Sequence, residues 1–172
     1  MRKRIASARG DLTGDGAAET LILSGEQSGG SAYWQHIELT VTDGRTGRTV
    51  RVPLAHDEGY DPQLVLGSMT ARDRADVLIA LETGSSGAIG LYSVIAYQNG
   101  AYRTVFDSEQ YAEQMRYRVQ YLDQYAVRAE SENTGMAYFI DLAGKDSDYL
   151  AQLYDENGAL KREQEGFVDP VS

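Results

Sequence analysis

Apolar and polar residues alternate along the first stretch of this chain in the period of two that marks half-buried strands. Ile37, Leu39 and Val41 alternate with Glu38, Thr40 and Thr42. Val50 and Val52 alternate with Arg51 and Pro53, and Pro53 marks a strand end or edge. Between the two runs, Asp43-Gly44-Arg45-Thr46-Gly47 is hairpin-turn chemistry. Four strands are predicted here: Arg4 to Arg9, Thr20 to Ser24, Trp34 to Thr42 and Thr49 to Leu54. A second set follows: Gln63 to Gly67, Asp76 to Glu82, Leu91 to Gln98 and Tyr102 to Phe106. Val77 to Leu81 is continuously apolar, as for a strand buried on both faces.

The two sets are copies. Shifted by 57 residues, Leu78-Ile79 falls under Leu21-Ile22, Asp76 under Glu19 and Thr70 under Thr13. The same shift puts Val94 under Ile37. Three segments result: 1–57, a first four-stranded repeat; 58–107, a second; and 108–172, where the repeat fades. They are expected to form one compact domain. In the last segment a short helix is predicted after Asp107. Strands are expected around Tyr117 to Tyr121, Tyr125 to Glu130 and Ala137 to Leu142, and Asp146 caps a second helix. The tail from Glu163 is polar and expected to be loose. The fold class is mainly β: two antiparallel four-stranded repeats plus a C-terminal β-hairpin and short-helix extension.

The first copy carries the chemistry. In Asp11-Leu12-Thr13-Gly14-Asp15-Gly16-Ala17-Ala18-Glu19, oxygen-bearing side chains fall at loop positions 1, 3, 5 and 9. Gly16 permits the sharp turn at position 6, and Ala17 offers its backbone carbonyl at position 7. This is a donor set for one calcium ion: Asp11, Thr13, Asp15, Ala17 and Glu19. Position 12 is Ile22, inside an apolar strand, so the bidentate Glu and following helix of an EF-hand are missing. An intracellular calcium sensor is disfavoured on that ground. A Gly/Asp-rich turn without metal is the competing reading. In the second copy the same positions are Ser68, Thr70, Arg72 and Asp76, and Arg72 rules out a carboxylate site. There Arg72 is expected either to stand in for the ion by pairing with Asp76 or to be solvent-exposed.

The loop spacing with a strand directly after it resembles the FG-GAP/VCBS repeat, the integrin-α-like β-propeller repeat. Asp43-Gly-Arg-Thr-Gly, Gly84-Ser-Ser-Gly-Ala-Ile-Gly, Lys145-Asp-Ser-Asp-Tyr-Leu and Val168-Asp-Pro extend the likeness to the Gram-positive bacterial type. The resemblance implies a calcium loop and one propeller blade per repeat. Thr13 and Glu19 depart from that pattern but keep an oxygen. Two or three blades cannot close a propeller. The edges need cover from the C-terminal strands, a partner or another copy.

Composition narrows the function. The net charge of −10 disfavours nucleic acid and suits cations. Cys is absent, which excludes disulfides, thiolate zinc sites and thiol catalysis. No apolar run is long enough to span a membrane, and no signal peptide is visible. The calcium loop points outside the cell or to its surface. Arg9-Gly10-Asp11 spells an integrin-recognition tripeptide, but Asp11 is committed to the loop. His36 should face out, and His56 lies in the acidic linker with Asp57, Glu58 and Asp61. The loop 84–90 is neither a phosphate loop nor a nucleophile elbow. Tyr117, Tyr121 and Tyr125 suit a core better than a sugar platform. The expected function is therefore a non-enzymatic calcium-binding module that presents a surface to an unidentified protein or polysaccharide. The alternative is an accessory or catalytic domain of an extracellular hydrolase, with Asp57, Glu58 and Asp61 as its acids.

Overall fold

The computed structural model describes residues 1–85, 90–161 and 165–168. The chain divides into two compact units, Met1–Glu109 and Gln110–Ser172. Both repeats fall in the first unit, and nearly all of the third segment forms the second.

The first unit runs β1 (Arg2–Gly10), β2 (Glu19–Gln27), β3 (Tyr33–Thr42), β4 (Thr49–Val52), β5 (Gly59–Gly67), β6 (Asp76–Glu82), β7 (Gly90–Gln98) and β8 (Ala101–Asp107). All pairings are antiparallel. The strand order is β1-β2-β3-β5-β6-β7-β8, with β4 on β3. Within the sheet, among the described residues, the strands of the two halves pair where Tyr33 opposes Tyr60 and Trp34 opposes Gly59. Each half is thus a four-stranded antiparallel meander, and among the described residues the sheet does not close.

Alternation decides the core. Leu21 and Leu23 of β2, Ile37, Leu39 and Val41 of β3, and Val77, Ile79 and Leu81 of β6 are all buried in one cluster. The inward residues of both repeats therefore share one core. Burying such a side chain contributes roughly 1.5–3 kcal/mol. β6 does not bury both faces alike: Leu78 and Ala80 on its other side are only half-buried.

The 57-residue repeat is real in register. Gly10 opposes Glu19 as Gly67 opposes Asp76, and Ala8 opposes Leu21 as Val65 opposes Leu78. It slips in the next hairpin. Leu21 pairs with Val41, and the same offset would set Leu78 against Gln98, yet Leu78 pairs with Val94. Val94 is therefore the counterpart of Val41, not of Ile37. The β6–β7 hairpin is four residues tighter. Of the loop 84–90, residues 86–89 lie outside those described.

The acidic linker is partly strand. β5 begins at Gly59, and an irregularity between Tyr60 and Gln63 absorbs Asp61, whose φ is 42°.

After α1 (Ser108–Gln114), the second unit holds β9 (Tyr117–Leu122), β10 (Ala126–Ser131), β11 (Ala137–Asp141), α2 (Ser147–Leu153) and β12 (Glu165–Val168). Its sheet order is β11-β10-β9-β12. The expected loose tail thus contributes a strand, because β9 has a free edge that takes Glu165–Val168. Asp146 caps α2 by accepting from Asp148 N at 2.9 Å and Tyr149 N at 3.3 Å. Val127, Leu142 and Tyr154 form the core, with Tyr121 and Tyr125 packed against it. The Tyr125 and Tyr154 rings lie 5.0 Å apart, edge to face. Tyr121 and Tyr125 are core side chains rather than a sugar platform.

Candidate metal centre

The β1–β2 loop is built by its own carboxylates. Asp11 Oδ1 accepts from Gly14 N at 2.7 Å and Asp15 N at 3.2 Å, and its Oδ2 accepts from Gly16 N at 2.8 Å. Thr13 Oγ1 adds a long contact at 3.5 Å. This winding needs left-handed backbone at Gly14 (φ 78°) and Gly16 (φ 84°), which glycine adopts without steric cost. Partial burial works against ionisation of Asp11. The N–H groups of Gly16, Gly14 and Asp15 and the Thr13 hydroxyl outweigh it and hold the carboxyl below its ordinary value. The Asp of the Arg-Gly-Asp tripeptide is thus engaged by its own loop.

Glu19 is the unusual residue. It is fully buried at the start of β2. Its Oε2 accepts from Leu12 N at 2.7 Å, and its Oε1 has no hydrogen-bond partner. Buried carboxylate oxygens are costly when left unpaired. The second repeat makes the contrast. Asp76, also fully buried, takes Met69 N at 2.9 Å, Thr70 N at 2.6 Å and Thr70 Oγ1 at 2.9 Å. Met69 and Thr70, not Arg72, thus partner Asp76, and Arg72 is exposed, the second of its two expected placements. The second copy is satisfied from within; the first is left with a bare oxygen.

Two neighbouring loops press on the site. From the β5–β6 loop, Ala75 N donates to Asp11 O at 2.8 Å. The Arg74 side chain lies against Gly14, its Cδ 4.0 Å from where a Gly14 Cβ would stand. The Asp43–Gly47 turn docks on the other side. A Cβ at Gly44 would stand 2.4 Å from Ala18 O, so only glycine fits. Arg45 Nε then reaches Asp15 Oδ2 at 2.7 Å, its Nη2 donates to Asp15 O, and Ala17 N holds Asp15 Oδ1 at 2.8 Å.

Asp11, Asp15 and Glu19 are therefore gathered in one loop, each drawn to a different partner. Among the described residues no three acids or histidines stand close enough together to hold an ion as they are. Thr13 lines a cleft of about 460 Å³ with Asp43, Arg48, Tyr97 and Tyr102. Burial, then the charges of Glu19, Asp43 and Asp15, push the Tyr102 phenol well up.

The other candidates fall elsewhere. Asp57, Glu58 and Asp61 are all exposed, and Asp61 Oδ2 is taken by Gln63 Nε2 at 2.9 Å. His36 is exposed, as the strand pattern requires. His56 is not a surface linker residue. Its Nε2 lies 2.8 Å from Asp107 Oδ2, the two side chains 15% and 5% exposed. That is an ion-pair distance without the alignment of a hydrogen bond. No local pattern announces this pair, which joins positions 51 residues apart. Nor does one show that the Asp43–Gly47 turn serves the metal loop. A guanidinium two residues into a turn beside an acidic loop was the one available signal.

Residues 115–172 match the model of the YybI C-terminal domain family, a stretch inside the second unit. Over 171 residues the chain is 39% identical to the uncharacterized protein YybI of Bacillus subtilis (strain 168). That alignment covers 99% of this chain and 65% of YybI, so the chain spans less than two thirds of its relative. No solved structure matches it.

Proposed function

We propose that this chain is a non-enzymatic calcium-binding module of the FG-GAP/VCBS kind, its two repeats corresponding to blades of an open propeller-like array. One calcium ion would be held by Asp11, Thr13, Asp15, the Ala17 carbonyl and Glu19. The observation that carries this reading is Glu19 Oε1, a fully buried carboxylate oxygen with no partner, in a loop with two further carboxylates. A hard cation satisfies such an oxygen; in the second repeat the counterpart acid, Asp76, is instead satisfied by the Met69 and Thr70 N–H groups and the Thr70 hydroxyl. The donor chemistry fits, being oxygen throughout. The ion is structural: it neutralises three acids that otherwise repel one another across a tight turn.

A position outside the cell, where calcium is abundant, suits such a site. The surface offered to a protein or polysaccharide is supported by exposed aromatic and aliphatic side chains on the edge strand β11, where Phe139 is 70% exposed. Among the described residues no helix is long and apolar enough to cross a membrane.

Thermal unfolding in EGTA and then in millimolar calcium, on wild type and Asp15→Ala, tests the reading. Calcium should raise the wild-type melting temperature and leave the variant unmoved. Equal curves for wild type in both buffers would leave the loop a turn only.

A further inference from the structure

We propose that Arg45 is a built-in competitor for the cation: its guanidinium holds Asp15, and a divalent ion claims that carboxylate by displacing it. This rests on the calcium reading above and adds a regulation of the same site.

The arginine is delivered by design of the turn. Asp43 Oδ1 accepts from Arg45 N at 2.9 Å, Thr46 N at 2.7 Å and Thr46 Oγ1 at 2.9 Å. Gly47 N donates to Asp43 O at 3.0 Å, closing the turn. Gly44 seats it against Ala18 with no room for a side chain. A turn so fixed fits one face of the loop, and Arg45 reaches Asp15 at two points, the carboxylate and the carbonyl. Asp15 Oδ1 is held by Ala17 N. Each carboxylate oxygen of Asp15 thus has one partner, and the partner of Oδ2 is itself a cation, so a divalent ion approaching that oxygen competes with the guanidinium's charge.

The exchange is feasible in magnitude. The pair is open to solvent, its side chains 62% and 37% exposed. Such pairs are weak. A dication can therefore displace it, and the clasp lowers affinity without abolishing binding.

Calorimetric titration of calcium into wild type, Arg45→Gln and Arg48→Gln tests this. Arg48 lies in the same turn and lines the neighbouring cleft with Thr13, so it controls for a general loss of positive field. Arg45→Gln should tighten binding about two- to fivefold, with Arg48→Gln near wild type. Equal or weaker binding by Arg45→Gln, or equal tightening by both, overturns the competition. Absence of binding in all three overturns the calcium reading instead. Melting curves in EGTA confirm that each variant is folded before titration.

Discussion

Replacing Glu19 by Gln separates the ion from the fold. Glu19 is fully buried, with Leu12 N on Oε2 at 2.7 Å and nothing on Oε1. Gln keeps the length and an acceptor for Leu12 N, but removes the charge a cation needs. In wild type, free calcium at about 100 times Kd should stabilise by about 2.7 kcal/mol. For a unit the size of Met1–Glu109, at about 4 °C per kcal/mol, that is a rise of about 10 °C. The variant should show none of it. In EGTA it should melt within about 1 kcal/mol of wild type, because a buried charge with one oxygen unpaired is itself a burden. Differential scanning calorimetry in EGTA and in calcium gives all four numbers. The reasoning is refuted if Glu19→Gln loses several kcal/mol in EGTA while calcium leaves wild type unmoved. Glu19 would then be a cap for Leu12 N and no more.

Gly44→Ala should destabilise the first unit by about 1–3 kcal/mol, since its methyl meets Ala18 O at 2.4 Å; urea unfolding measures it. Acid should weaken the same region. Asp43 is held low by the Thr46 N–H, the Thr46 hydroxyl and the Arg45 N–H, and Asp11 by its loop. Their contribution is full above the ordinary carboxylate value of about 3.9 and lost as pH falls below it. Urea midpoints from pH 6 down to 2 should fall below about 4, less steeply in Asp43→Asn. Alkali should loosen the second unit. The Tyr149 hydroxyl and then burial push Tyr121 up to about 12. That stability is complete below the ordinary tyrosine value of about 10 and is lost between there and 12. Urea midpoints against pH would follow it, with Tyr149→Phe losing less over this range and completing the loss nearer 10.

Much of this was legible because it is local or periodic. The alternation in β3 and β4 named Ile37, Leu39, Val41 and Val52 of the core, and the 57-residue offset put Asp76 under Glu19, where the structure gives both acids the equivalent backbone N–H. Asp146 announced the second helix by its cap. What escaped depends on distance in sequence. A guanidinium in a turn hints at an acidic partner but does not name Asp15, 30 residues earlier, because that contact requires the β2–β3 register to be known. The linker before Gln63 read as loop because Pro62 and three acids mask a strand whose pairing is set by Glu82 and Trp34. The tightened β6–β7 hairpin misled the alignment at Val94, since an offset counted along the chain ignores a shortened turn.

Equilibrium dialysis of chelator-stripped protein against calcium, with bound metal counted by mass spectrometry, bears most directly on the central claim. One calcium per wild-type chain, and none in Asp15→Ala or Glu19→Gln, is the expected result. Wild-type protein that retains no more calcium than either variant, at millimolar free ion, would contradict it.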